Sequence, residues 1–159
     1  MTSHYDEATK GPHSVLELGD VLLESGETLR NARLLYKTHG KPNAARDNAV
    51  LYPHMYSGTP SSLESTIAPG RALDPERYFV ICPGQLGGGF SSSPSNTGGR
   101  FPEVTVGDDV RVQHRLVTET LGLDRLALAT GFSMGAQQAY EWAVRYLSLI
   151  HISEPTRRS

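Results

Sequence analysis

An α/β fold, a mostly parallel sheet with helices on its faces, is what this sequence predicts, and three observations predict it. Two short apolar runs, "NAVLYPHM" and "RYFVICPG", are bounded by Asn, Asp, Pro and Gly, the appearance of interior strands covered on both faces. The second half alternates strand and helix: "DDVRVQHRLVTETLG" has helical spacing, "DRLALATGFS" reads as a buried strand, and "MGAQQAYEWAVRYL" is rich in helix formers. Finally, 159 residues with 38% hydrophobic and 20% charged side chains suit one globular domain with a buried core.

Each element follows from local chemistry. The amino terminus "MTSHYDEATKGPHS" is polar, lacks the apolar core of a signal peptide, and reads as a flexible leader over residues 1–15. "SVLELGDVLLESGETL" and "NARLLYKTHG" flank a Gly-Glu turn and suit an antiparallel pair of edge strands. Between the two interior strands, "SSLESTIA" has the composition of a short helix capped by Ser61 or Ser62. "FSSSPSNTGGRFPEVTVG" is dominated by Ser, Gly and Pro and predicts a long surface loop. In the helix that follows, Asp108 and Asp109 stand where the helix dipole favours negative charge, and Gly122 stands where a carboxyl-terminal cap belongs. Val110, Val117 and Leu121 are spaced to share its buried face.

Composition also narrows the function. A formal charge of -2 without a basic run leaves no electrostatic footprint for nucleic acid. No apolar run approaches the length of a membrane span. Cys82 is the only cysteine, which excludes an internal disulfide and a cysteine-based zinc site and predicts a cytoplasmic setting with no metal.

The chemistry concentrates at Gly131-Phe132-Ser133-Met134-Gly135, which joins the last strand to the last helix. This is the pattern of a nucleophile elbow, a strained turn that lifts a serine hydroxyl above a sheet. Glycines at 131 and 135 let the two backbones approach, and the Met134 amide at the helix start is placed to donate to a developing oxyanion. The competing explanation is that Ser133 is simply a helix N-cap, and the pentapeptide alone leaves the two evenly matched. "GQLGGGF" after the strand "YFVICP" tests a phosphate-binding reading. The stretch runs into "SSSPSNTGGRFP" rather than a helix, so dinucleotide binding is not expected.

Five blocks in order break the tie: "LLESGETLRNARLLYKTHGKPNAARDNAVLYPH", "SGT", "GRALDPERYFVICPGQLGGGFSSSPSNT", "FPEVTVGDDVRVQHRL" and "LGLDRLALATGFSMGAQQAYEWA". Over residues 16–146 the chain resembles the homoserine O-acetyltransferase-like branch of the α/β-hydrolase superfamily. The resemblance implies the amino-terminal part of that fold, ending after the elbow helix. It implies a serine nucleophile at Ser133 and an acyl-enzyme. The acyl group would pass from a donor such as acetyl-CoA to an alcohol such as homoserine, both small molecules; a homodimeric parent is a separate expectation.

The resemblance also places a second oxyanion donor at the Tyr56 amide, in "HMYSG", partnering Met134. His54 precedes the serine, whereas the superfamily's general-base histidine comes late, so His54 is expected to be a structural histidine beside the pocket. The triad Asp and His have no counterpart in this chain: after Ser133 the only acids are Glu141 and Glu154 and the only histidine is His151. "LSLIHISEPTRRS" departs from the resembled pattern, which calls for proline after "YEWAVRY", and reads as a non-native tail over residues 147–159. Ester hydrolysis by the same fold and a catalytically inert fragment are the alternatives. An exposed edge along "RLALAT", with Trp142 and Val144 uncovered, is expected to make the chain self-associate.

Overall fold

The structure, a computed structural model, describes residues 7–150. A four-residue helix, α1 (Glu7–Lys10), leads into strand β1 (Ser14–Leu22), which therefore begins inside the expected leader, whose residues 1–6 lie outside the described residues. Strand β2 (Thr28–His39) pairs antiparallel with β1, and the turn closes where the Gly26 amide donates to the Leu23 carbonyl at 2.9 Å. Strands β3 (Ala49–Leu51), β4 (Phe79–Pro83) and β5 (Leu128–Ala129) complete a five-stranded sheet in the order β1-β2-β4-β3-β5. The β1-β2-β4 side is antiparallel, and the β4-β3-β5 side is the parallel sheet the sequence predicts.

Two strand expectations need correction. β2 is not an edge strand, because it is long enough to pair with β1 through its first part and with β4 through Tyr36–His39. The last strand is not buried throughout: Leu126 is buried, but Leu128 is 44% exposed, as the expected open edge requires, because β5 pairs with β3 on one side and with no other strand among the described residues. Here the Leu126 amide donates to the Leu149 carbonyl at 2.6 Å, and Leu126 bridges Ile150. The expected tail thus begins as a 3-10 turn (Leu147–Leu149), and its residues 151–159 lie outside the described residues.

β3 and β4 are apolar on both faces, and the structure covers both. One face meets helix α2 (Val106–Arg115), which continues as a π turn to Thr120, and helix α3 (Met134–Tyr146). The other meets the 3-10 helix Pro60–Thr66 through Leu63 and Ile67. That helix is capped by Thr59 rather than Ser61 or Ser62: the Thr59 amide donates to Ser62 Oγ at 3.0 Å, with proline at the first helical position. On α2, Thr105 closes a capping box with Asp108, and Gly122 holds the positive φ expected of it.

The Ser-rich segment after β4 is a loop, but Ser91, Ser92 and Ser93 are buried. β2 leaves Arg33 and Leu35 without a strand partner on the β4 side, and the loop supplies one. Ser92 Oγ accepts from the Arg33 amide and Ser91 Oγ from the Leu35 amide, each at 3.0 Å. Hydroxyls here complete a sheet ladder, because a buried unpaired amide is costly. Trp142 is also covered, contrary to expectation: its indole N–H donates to Gln113 Oε1 at 2.9 Å, and Tyr146 packs beside it. Val144, one face away, is exposed as expected.

Candidate active site

The ladder runs to within three residues of Ser133, where the Thr130 amide donates to the Leu51 carbonyl at 3.0 Å. Four residues after Thr130 the chain is a helix, so the reversal must be tight. Ser133 takes φ 54 and ψ -122, a left-handed-side conformation that disfavours any residue with a Cβ. Its side chain makes no capping hydrogen bond, so the reading of Ser133 as an N-cap loses its physical basis. The residue is exposed at the start of α3.

The flanking glycines have a steric reason. A Cβ on Gly131 would fall on the backbone carbonyl of Gly135, and a Cβ on Gly135 would fall on the carbonyl oxygen of Pro53. The second contact also brings the segment after β3 against the turn. His54 lies there, buried, with Nδ1 donating to the Met55 carbonyl at 2.7 Å. Burial holds its pKa below the ordinary histidine value, outweighing that hydrogen bond. Burial therefore favours the neutral form of the His54 ring. Its carbonyl accepts from Gln85 Nε2 at 2.7 Å, which pins the glycine-rich stretch beside the turn.

Tyr56 is the second residue of a turn closed by the Gly58 amide on the Met55 carbonyl at 2.9 Å, so the turn makes no use of the Tyr56 amide. Met134 is the first residue of α3, where an amide has no partner within the helix. Both residues line one cleft of about 690 Å³, with Gln85, Gly88 and Ser57 on the same wall. Ser133 is adjacent in sequence to this lining and is not part of it. The glycine-rich stretch contributes Gly87, Gly88 and Gly89 to the lining of this cleft.

Asp109 is a residue whose part the sequence reading missed. Its Oδ1 accepts from the Leu86 amide at 2.8 Å and so ties α2 to the cleft wall. Burial, reinforced by the charge of Asp108, pushes its pKa up to about 8 against the pull of that amide. The partners stand 23 residues apart, and nothing local in "DDVRV" distinguishes such a tie from a helix-start carboxylate. Among the described residues no group of three His, Cys, Asp or Glu side chains is placed to hold a metal ion, and no helix is long and apolar enough to cross a membrane.

Comparison with known proteins agrees with this geometry. Residues 48–155 match the family model described as the alpha/beta hydrolase fold. An ethyl acetate hydrolase of Pseudomonas veronii is 48% identical over 152 residues, covering 92% of this chain and 44% of the relative. A homoserine O-acetyltransferase of Methanococcoides burtonii is 37% identical over 154 residues, covering 83% of this chain and 31% of the relative. The solved acetyl esterase MekB superposes with a TM-score of 0.90 at 46% identity, over 94% of this chain and 45% of that one. The chain thus spans under half the length of the relatives it matches. With a strand, a glycine-flanked turn and a helix in the expected order, and with these matches, the chain belongs to the alpha/beta hydrolase fold family.

Proposed function

We propose that Ser133 is the nucleophile of a serine-dependent acyl transfer whose acyl group passes to water, so that the whole protein is an ester hydrolase acting on short acyl esters. The observation that carries this reading is the strained Ser133 backbone, held between two glycines and used for no cap. Strain of this kind concentrates where geometry serves chemistry. The serine oxygen attacks the ester carbonyl while its proton passes to a base. The resulting oxyanion is held by the amides of Met134 and Tyr56, and collapse expels the alcohol, leaving an acyl-serine. Water then attacks the acyl-serine, and the carboxylic acid leaves as the serine regains its proton. On this reading the base and its orienting acid come from the part of the fold beyond the share of its relatives that this chain spans.

Hydrolysis ranks first because the acetyl esterase and the ethyl acetate hydrolase match at 46% and 48% identity. Transfer to an alcohol, with acetyl-CoA as donor and homoserine as acceptor, is the second reading, supported by the 37% identical acetyltransferase. A cytoplasmic location and a homodimeric parent belong to the same proposal. The experiment is a partition assay on the whole protein, offering ethyl acetate in water and then acetyl-CoA with homoserine. Acetate release from the ester, lost by a factor of about 10³ or more in Ser133→Ala, is the expected result. Acetylhomoserine formed in preference to acetate would reverse the order of the two readings.

A further inference from the structure

Lys37 lies on β2 with only 8% of its side chain exposed. A buried ammonium is costly unless its donors are matched. Two of its three N–H groups are placed: one on Glu64 Oε1 at 2.6 Å, the other on the main-chain carbonyl of Lys10 at 2.8 Å. Ser61 Oγ donates to the same Lys10 carbonyl at 2.6 Å. Gly11 follows with φ +73, and a Cβ there would stand 3.3 Å from Lys37 Nζ. The end of α1 is therefore clamped at one carbonyl by a sheet residue and a helix residue at once.

The clamp sets Lys10 on the wall of the cleft that Tyr56 and Met134 also line. The rest of that wall is glycine backbone, hydroxyls and uncharged side chains, with no aspartate or glutamate. Lys10 is the one charged residue of the lining. A single cation on the lining of a cleft whose lining holds no anion is a recognition element for an anionic group. We propose that Lys10 is a specificity-determining residue that receives the free carboxylate of a half-ester of a dicarboxylic acid, so that the cleft prefers such esters to neutral ones of the same shape. Lys37 and Ser61 are its positioning residues. This rests on the acyl-ester reading of the cleft given above.

The test needs binding alone and uses the 159-residue chain. Saturation-transfer NMR titrations compare monoethyl succinate with its neutral amide isostere, ethyl succinamate, and a competition between them shows that they share one site. The expected result is two- to fivefold tighter binding of the half-ester at low salt, about what a partly exposed ion pair contributes, shrinking as salt screens it. Lys10→Met should bring the two affinities together, and Lys10→Arg should keep them apart. Equal binding of both esters by the unaltered chain, or a preference that survives Lys10→Met, would overturn the role of Lys10 and leave the ester cleft standing. No binding of either ester would overturn the cleft reading, and this inference with it.

Discussion

Ser133 occupies a backbone conformation that glycine would adopt more cheaply, and the chain keeps a serine there. If the side chain served stability, its removal would destabilise the fold. We expect Ser133→Gly instead to raise stability by about 1 kcal/mol, read from urea denaturation, because the strain is relieved and no cap is lost. Gly131→Ala and Gly135→Ala should each cost about 1–3 kcal/mol, since the added methyl meets backbone, which cannot step aside as a side chain can. Asp109 carries a pH signature. Protonated in the fold up to about pH 8, it ionises in the unfolded chain near its ordinary value of 3.8, so its contribution declines as pH rises between those two values. His54, with its pKa lowered by burial, acts in the opposite direction, removing stability as pH falls below 6.5. Urea midpoints at pH 5 and pH 8 for the unaltered chain and for Asp109→Asn separate the two effects. The variant should lose less stability, or gain more, on going to pH 8, and identical pH profiles would contradict the protonated carboxyl.

Helix α2 is the element that joins the site to the core, through its cap at one end and Asp109 one turn in. Thr105→Ala should cost about 1 kcal/mol, measured by thermal or urea unfolding, because the Thr105 hydroxyl accepts from the Asp108 amide. The position of this helix was legible from its spacing: Val110 and Val117 are fully buried as expected and Leu121, past the end of α2, is partly buried against the same core, because apolar residues recurring on one helical face report burial directly. The interior strands were legible for the same reason, being apolar on both faces. The Ser-rich loop was not. Its hydroxyls bond β2 amides more than fifty residues away, and polar composition reads as solvent exposure unless the partner is known. Trp142 was misread similarly, since Gln113 sits 29 residues earlier and only the packed helix pair brings the amide to the indole.

At the scale of the whole molecule the sheet has one unfinished side. Leu128 at the β5 edge and Phe132, Tyr140 and Val144 around α3 present large apolar surface to solvent. An exposed parallel-type edge invites another strand, so the 159-residue chain should self-associate. Light scattering coupled to gel filtration should show species larger than a monomer, with Leu128→Lys shifting the population towards monomer. A sharp monomeric peak for the unaltered chain would contradict this. The candidate site was legible in outline because its signals are local: a serine between two glycines, a strand before it and a helix after it. The buried ties that shape the cleft, from Gln85, Asp109 and Lys37, were not, because each joins segments distant in the chain. The most direct test of the central claim is mass spectrometry of the whole protein after treatment with a fluorophosphonate. The account predicts one adduct, mapped to Ser133 and absent from Ser133→Ala. A folded protein that takes no adduct, or takes it on another residue, would contradict it.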